Sequence, residues 1–126
     1  MKQKLDEKCI NKYIEYVRNR EYYKTRVPIK ANYYNTKANN IIQKIKNDEN
    51  GIDIIKKLLE SEDISLRLYT AASCLDIEEI KEKAFLVLSE IANGDKQNRE
   101  FHRIEAEMIL DMHKEEYKLI KNRLKL

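Results

Sequence analysis

The chain has 126 residues, of which 37 % are Asp, Glu, Lys or Arg and 42 % are hydrophobic, with a net charge of +3. That length suits a single domain with one modest core, and a charged share well above the usual quarter or so makes most of the surface solvated charge. Two glycines and one proline argue against a sandwich or barrel, which needs a turn about every 8–12 residues; they suit long helices joined by short polar loops.

In chain order, Leu5, Cys9, Ile10, Tyr13 and Val17 recur at helical spacing and predict a first helix over 5–17. Arg18 to Pro28 is polar and aromatic, and Pro28 disfavours helical geometry at Val27, so Thr25 to Pro28 is expected to be a loop. A second helix runs from about Ile29 to Lys46, with Ala31, Tyr34, Ala38, Ile41, Ile42 and Ile45 on one face. Asn47-Asp48-Glu49-Asn50-Gly51 breaks it.

A short third helix, about Ile52 to Leu59, turns Ile52, Ile55, Leu58 and Leu59 inward. Asp63 is placed to cap the N-terminus of a fourth, about Ile64 to Leu75. Leu66, Leu68, Tyr69, Ala71, Ala72 and Leu75 lie nearly all round that fourth helix, which predicts the central, most buried position. Asp76-Ile77-Glu78-Glu79 has the capping-box pattern and opens a fifth helix with Ile77, Ile80, Ala84, Phe85, Leu88 and Ile91. Asn93-Gly94 ends it, Gly94 being suited to a left-handed turn. A sixth helix from near Asn98 carries Phe101, Ile104, Met108, Ile109 and Met112. No breaker follows, so it is expected to run on through Tyr117, Ile120 and Leu124. Residues 113–126 then form a helical extension that either docks on the first helix or offers its apolar face to a partner.

The stretch Leu58-Leu59-Glu60-Ser61-Glu62-Asp63-Ile64-Ser65-Leu66-Arg67-Leu68-Tyr69-Thr70-Ala71-Ala72 resembles a HEAT-type repeat. Such repeats end one helix on paired leucines, place an Asp in the turn, and follow with an aliphatic-Arg pair and paired small residues. The wider chain, over about 5–115, is similar to a small bacterial HEAT-like family of unknown function. Lys30-Ala31-Asn32, Val87-Leu88-Ser89-Glu90-Ile91-Ala92 and Ala106-x-x-x-Leu110 fall in that family's order. It departs at Glu62 and Ile64, where prolines are common, at Tyr69, where tryptophan is frequent, and in the basic tail after Met112. The resemblance implies an all-α fold of about six helices in stacked hairpins, a right-handed α-solenoid fragment forming one domain over 1–126. One hairpin cannot bury both its faces, so neighbours must stack. Within the repeat, Asp63 and Leu66 take structural roles, Ala71 permits close helix approach, and Arg67 is expected to staple the turn through an i,i+4 pair with Asp63.

Catalytic chemistry finds little support. His102 and His113 stand about 16 Å apart along a helix at 1.5 Å per residue and cannot share a metal. His102 reads as a satisfied surface residue. Pairs such as Glu78/Glu82 and Glu105/Glu107 read as solvated helix faces. No H-E-x-x-H, G-x-S-x-G or phosphate loop occurs, and Cys9 and Cys74 read as buried apolar residues without a zinc-type cluster. The expectation is a protein that is not an enzyme and uses no cofactor or metal. The N-terminus lacks the apolar run of a signal peptide and no run approaches a membrane span of about 18 residues, which makes the cytoplasm the expected compartment.

Charge is uneven. Residues 1–45 balance at +7, 46–111 at −7 and 112–126 at +3. Together with the HEAT-like resemblance, the acidic middle suggests a protein-binding module, and by fold-level analogy an immunity protein that blocks a basic toxin domain. Glu78, Glu82, Asp95, Glu100 and Glu107 are its candidate contacts. A competing reading is a nucleic-acid-binding accessory protein using the basic, tyrosine-rich N-terminal segment, with Tyr16, Arg18, Arg20, Tyr22 and Tyr23 as the interface.

Overall fold

The computed structural model describes residues 5–94 and 100–125, the side chain of Glu100 excepted. Among the described residues are seven helices and no strand: α1 (Glu7–Tyr23), α2 (Pro28–Lys46), α3 (Gly51–Leu59), α4 (Ile64–Ser73), α5 (Glu78–Ala92), α6 (Glu100–Met112) and α7 (Lys114–Leu124).

Local chemistry explains most boundaries. Asp6 starts α1 by accepting from the Cys9 amide at 2.9 Å, and Asp63 starts α4 by accepting from the Leu66 amide at 3.2 Å. These carboxylates satisfy amides that a helix N-terminus leaves unpaired. Pro28 occupies the first turn of α2, where its missing N–H costs nothing. Gly51 opens α3 against the end of α2, and a Cβ there would collide with the Ile45 carbonyl oxygen. Gly94 closes α5 at φ +67°, the left-handed turn its position calls for.

The expected capping box before α5 does not form. Ile77 holds the N-cap position and no side chain caps the helix. Asp76 instead pairs with Lys46 at 2.7 Å, and Lys46 also donates to the Ser73 carbonyl at 2.9 Å. A cross-helix cation has outcompeted the local amides for that carboxylate.

Two lengths also differ from expectation. α1 continues past Val17 to Tyr23, because its last turns are held by ion pairs to α4 and α6, which apolar periodicity does not register. The long sixth helix divides at His113 (φ −117°, ψ 28°). Beyond that break, α7 docks on α5 rather than on α1: Ile120 is buried, the Tyr117 ring stacks on Phe85 at 5.8 Å, and its hydroxyl donates to Ser89 Oγ at 2.9 Å. An exposed helix of this length is marginal alone, and folding back buries its apolar residues.

α4 packs against α1, α2, α3, α5 and α6, the central place its all-round apolar sequence predicts. Leu66, Leu68, Thr70 and Ala71 are buried along it. Around it lie Tyr13, Ile42, Ile45, Ile55, Ile80, Phe85, Leu88 and Ile91, all fully buried. Tyr13 Oη and Thr70 Oγ1 satisfy each other at 2.8 Å within that core. Arg67 does not staple the turn as expected. Arg18 of α1 takes the Asp63 carboxylate at 3.0 Å, while Arg67 Nε is buried with no hydrogen-bond partner among the described residues.

The largest departure concerns α6. Its buried residues are His102, Ala106 and Leu110, with Ile109 partly buried beside them. Phe101, Met108 and Met112, three of the apolar residues by which the sequence marks this helix, are 61 %, 62 % and 78 % exposed, and Ile104 is exposed as well.

Candidate interaction surfaces

On α6 the exposed apolar residues follow one another at spacings of three, four and four, so they form a single stripe along the helix. From Ile104 to Met112 the sequence holds Glu105, Glu107 and Asp111 and no cation. Glu107 and Asp111 are exposed, whereas Glu105 is occupied by α1, accepting from Lys24 at 2.5 Å and Arg20 at 3.3 Å. Exposed Arg103 stands between Phe101 and Ile104, so the outer face of α6 is an apolar ridge whose C-terminal part, past Ile104, has an acidic margin.

The carboxylates singled out by sequence do not gather there. Glu78 lies 3.3 Å from Lys81, and Glu82 is paired with Arg123 of α7. Both belong to the α5–α7 junction, which Lys81 also ties to Glu116 at 3.1 Å. Glu107 alone stands beside the stripe. Glu100 opens α6, but its side chain lies outside the described residues, as does Asp95.

Most of the competing N-terminal set is built into the fold. Arg18 is held by Asp63. Arg20 is held by Glu105 and lies over the Tyr69 ring at 5.3 Å. Tyr16, Tyr22 and Tyr23 join a cluster with Tyr33 and Tyr34 at the α1–α2 end, in which Tyr23 stacks on Tyr34 at 5.7 Å. Within it Tyr22 and Tyr33 remain more than half exposed.

His102 is not a surface residue. It is 4 % exposed, with Nε2 3.0 Å from Glu21 Oε1 and 2.9 Å from Ser65 Oγ. That hydrogen bond is the main cause holding the Glu21 carboxyl below its ordinary value of 4.5, against a smaller opposing effect of burial. Ionised Glu21 can only accept, so the proton between them sits on Nε2. Nδ1 is buried without a hydrogen-bond partner among the described residues. Since Ser65 and Glu21 meet the same ring nitrogen, the group lacks the relay of a nucleophile, base and orienter, which needs both nitrogens. It acts as a polar clasp between α1, α4 and α6. Among the described residues no three potential metal ligands come together, and no helix is long and apolar enough to cross a membrane.

Sequence reasoning missed the α6 ridge because its periodicity is that of a core face. Ala106 and Leu110, at i,i+4 spacing, lie on the side that is buried. No known protein family matches the chain, and no similar curated protein or solved structure was found.

Proposed function

We propose that this protein is a non-catalytic protein-binding module of HEAT-like stacked hairpins that docks a partner on the outer face of α6. The observation that carries the reading is the ridge of Phe101, Ile104, Met108 and Met112, four large apolar side chains left in water at successive turns of one helix, whereas the other exposed large hydrophobics are spread over α1, α2, α7 and the loop before Pro28. Exposed contiguous apolar patches rimmed by polar residues mark interaction sites, and Met side chains adapt to varied partner shapes. Glu107 and Asp111 beside the ridge favour a basic partner surface through charge complementarity. They disfavour a second copy of the same face, which would set like charges against each other. The concrete role proposed is an immunity protein in the cytoplasm, seated on a basic toxin domain, with Glu107 the retained contact from the acidic set.

The test is co-expression with the toxic product of an adjacent gene. Met108→Lys/Met112→Lys should keep the helical circular dichroism spectrum, because exposed substitutions usually stay within about 0.5 kcal/mol, and should abolish protection. A folded double variant that protects as well as the wild type removes α6 from the interface, and the lack of any toxic neighbour or toxin partner removes the immunity role.

A further inference from the structure

Residues 22–47 carry six cations and no carboxylate. Two are neutralised from elsewhere in the fold, Lys24 by Glu105 and Lys46 by Asp76. The other four, Arg26, Lys30, Lys37 and Lys44, make no ion pair among the described residues. Arg26, Lys30 and Lys37 lie over the rings of Tyr22, Tyr23 and Tyr33 at 4.3, 5.1 and 5.5 Å.

Lys37 and Lys44 of α2 face Lys8 and Lys12 of α1 across an open cleft of about 380 Å³, which Tyr16 and Asn40 also line. None of these four lysines is ion-paired among the described residues, and like charges around one cleft repel unless an anion lies between them. The carboxylate at the cleft, Asp6, already caps α1 through the Cys9 amide. Aromatic surface continues from the cleft. Tyr16 lies 6.1 Å from Tyr34, Tyr34 is 5.2 Å from Tyr33 and 5.7 Å from Tyr23, and Tyr22 is 4.9 Å from Tyr23. A row of unpaired lysines thus runs into a tyrosine platform whose outer members, Tyr22 and Tyr33, are more than half exposed.

We propose that this α1–α2 face binds single-stranded nucleic acid, with Lys8, Lys12, Lys37 and Lys44 taking backbone phosphates while Tyr22 and Tyr33 stack on bases. Lysine rows alone would suit any polyanion. The exposed rings favour unpaired bases, since a duplex keeps its bases stacked on one another, out of reach of such rings. This differs from the interface in the nucleic-acid reading of the sequence, because Arg18 and Arg20 are consumed within the fold. It uses none of the α6 ridge and stands independently of the protein-binding role.

Fluorescence anisotropy of labelled oligo-uridylate and oligo-thymidylate, over a series of salt concentrations, tests it. Binding is expected at roughly 10⁻⁴–10⁻⁶ M, with a log–log salt slope of about −2.8 for four phosphates on a single strand. Lys37→Ala/Lys44→Ala should shrink that slope by about 1.4. Tyr22→Ala/Tyr33→Ala should weaken binding about 5- to 150-fold per stacked base at unchanged slope. Tyr33→Leu alone makes the same comparison if the double variant loses its helical spectrum. Absence of binding at low salt overturns the proposal, and so does tighter binding to a duplex of equal length or to phosphatidylserine vesicles. Tyrosine variants that bind as tightly as the wild type also overturn it, since charge alone would then account for the affinity.

Discussion

His102 on α6 and Glu21 on α1 meet at 3.0 Å, joining two helices whose backbones are not in direct contact. With Arg20 and Lys24 on Glu105, the pair forms a polar seam between the end of α1 and α6. Among the described residues most of its charged and polar ends are matched, whereas Nδ1 of His102 has no hydrogen-bond partner. His102→Ala would leave the largely buried Glu21 carboxylate without its main donor, and a loss of about 1–3 kcal/mol in denaturant unfolding is expected.

Acid should weaken the same seam. Glu21 has a folded-state pKa below its unfolded value, so its contribution is complete above about pH 4.5. It is lost as pH falls through the depressed folded value. Unfolding titrations at neutral pH and at successively lower pH should show Glu21→Gln losing less stability on acidification than the wild type. Equal losses would mean that the His102 contact is not linked to folding.

The buried Tyr13–Thr70 pair permits a double-mutant cycle. Tyr13→Phe strands the Thr70 hydroxyl in the core and should cost about 1–3 kcal/mol, whereas Tyr13→Phe/Thr70→Val removes both partners and should cost less than the two single changes summed. Burial also drives the Tyr13 phenol far above its usual range, so its ultraviolet absorbance should not show ionisation until the protein unfolds. Strict additivity of the two substitutions would contradict the 2.8 Å contact.

Docking of α7 on α5 predicts that Ile120→Ala destabilises the whole domain by about 2–5 kcal/mol. Removal of residues 113–126 should do more, because Phe85 would lose the Tyr117 ring that covers it. If Ile120→Ala unfolds at the wild-type denaturant midpoint, the tail projects instead.

Thiol titration separates the two cysteines. Cys74 is fully buried, and desolvation pushes its thiol up to about 12, whereas Cys9 is only partly buried. At mildly alkaline pH a disulfide reagent should react with Cys9 in the native protein and reach Cys74 only in denaturant. Rapid native labelling of Cys74 would show that α4 opens locally.

Helix identity was legible wherever it depends on neighbours in sequence. Asp63 could be read as a cap because its carboxylate and the Leu66 amide are three residues apart, and Gly94 as a terminator because only its own φ matters. The centrality of α4 followed from apolar residues around its whole circumference, which no exposed helix can carry at low cost. Tertiary structure decided where competing partners exist. Asp63 and Asp76 each had a local role to offer, and Arg18 and Lys46, 45 and 30 residues away, determined which roles they kept. The break at His113 sets Tyr117 against Phe85, a contact between residues far apart in sequence that no residue at the break announces. On α6 the sequence offered two faces, one of large apolar residues and one of His102, Ala106 and Leu110. Small Ala106 allows the close approach that packing at interior density demands, and the Ser65 and Glu21 partners of His102 arrive from α4 and α1. Shape and polar pairing across helices, which periodicity cannot express, therefore placed the smaller face inside and left Phe101, Ile104, Met108 and Met112 in water.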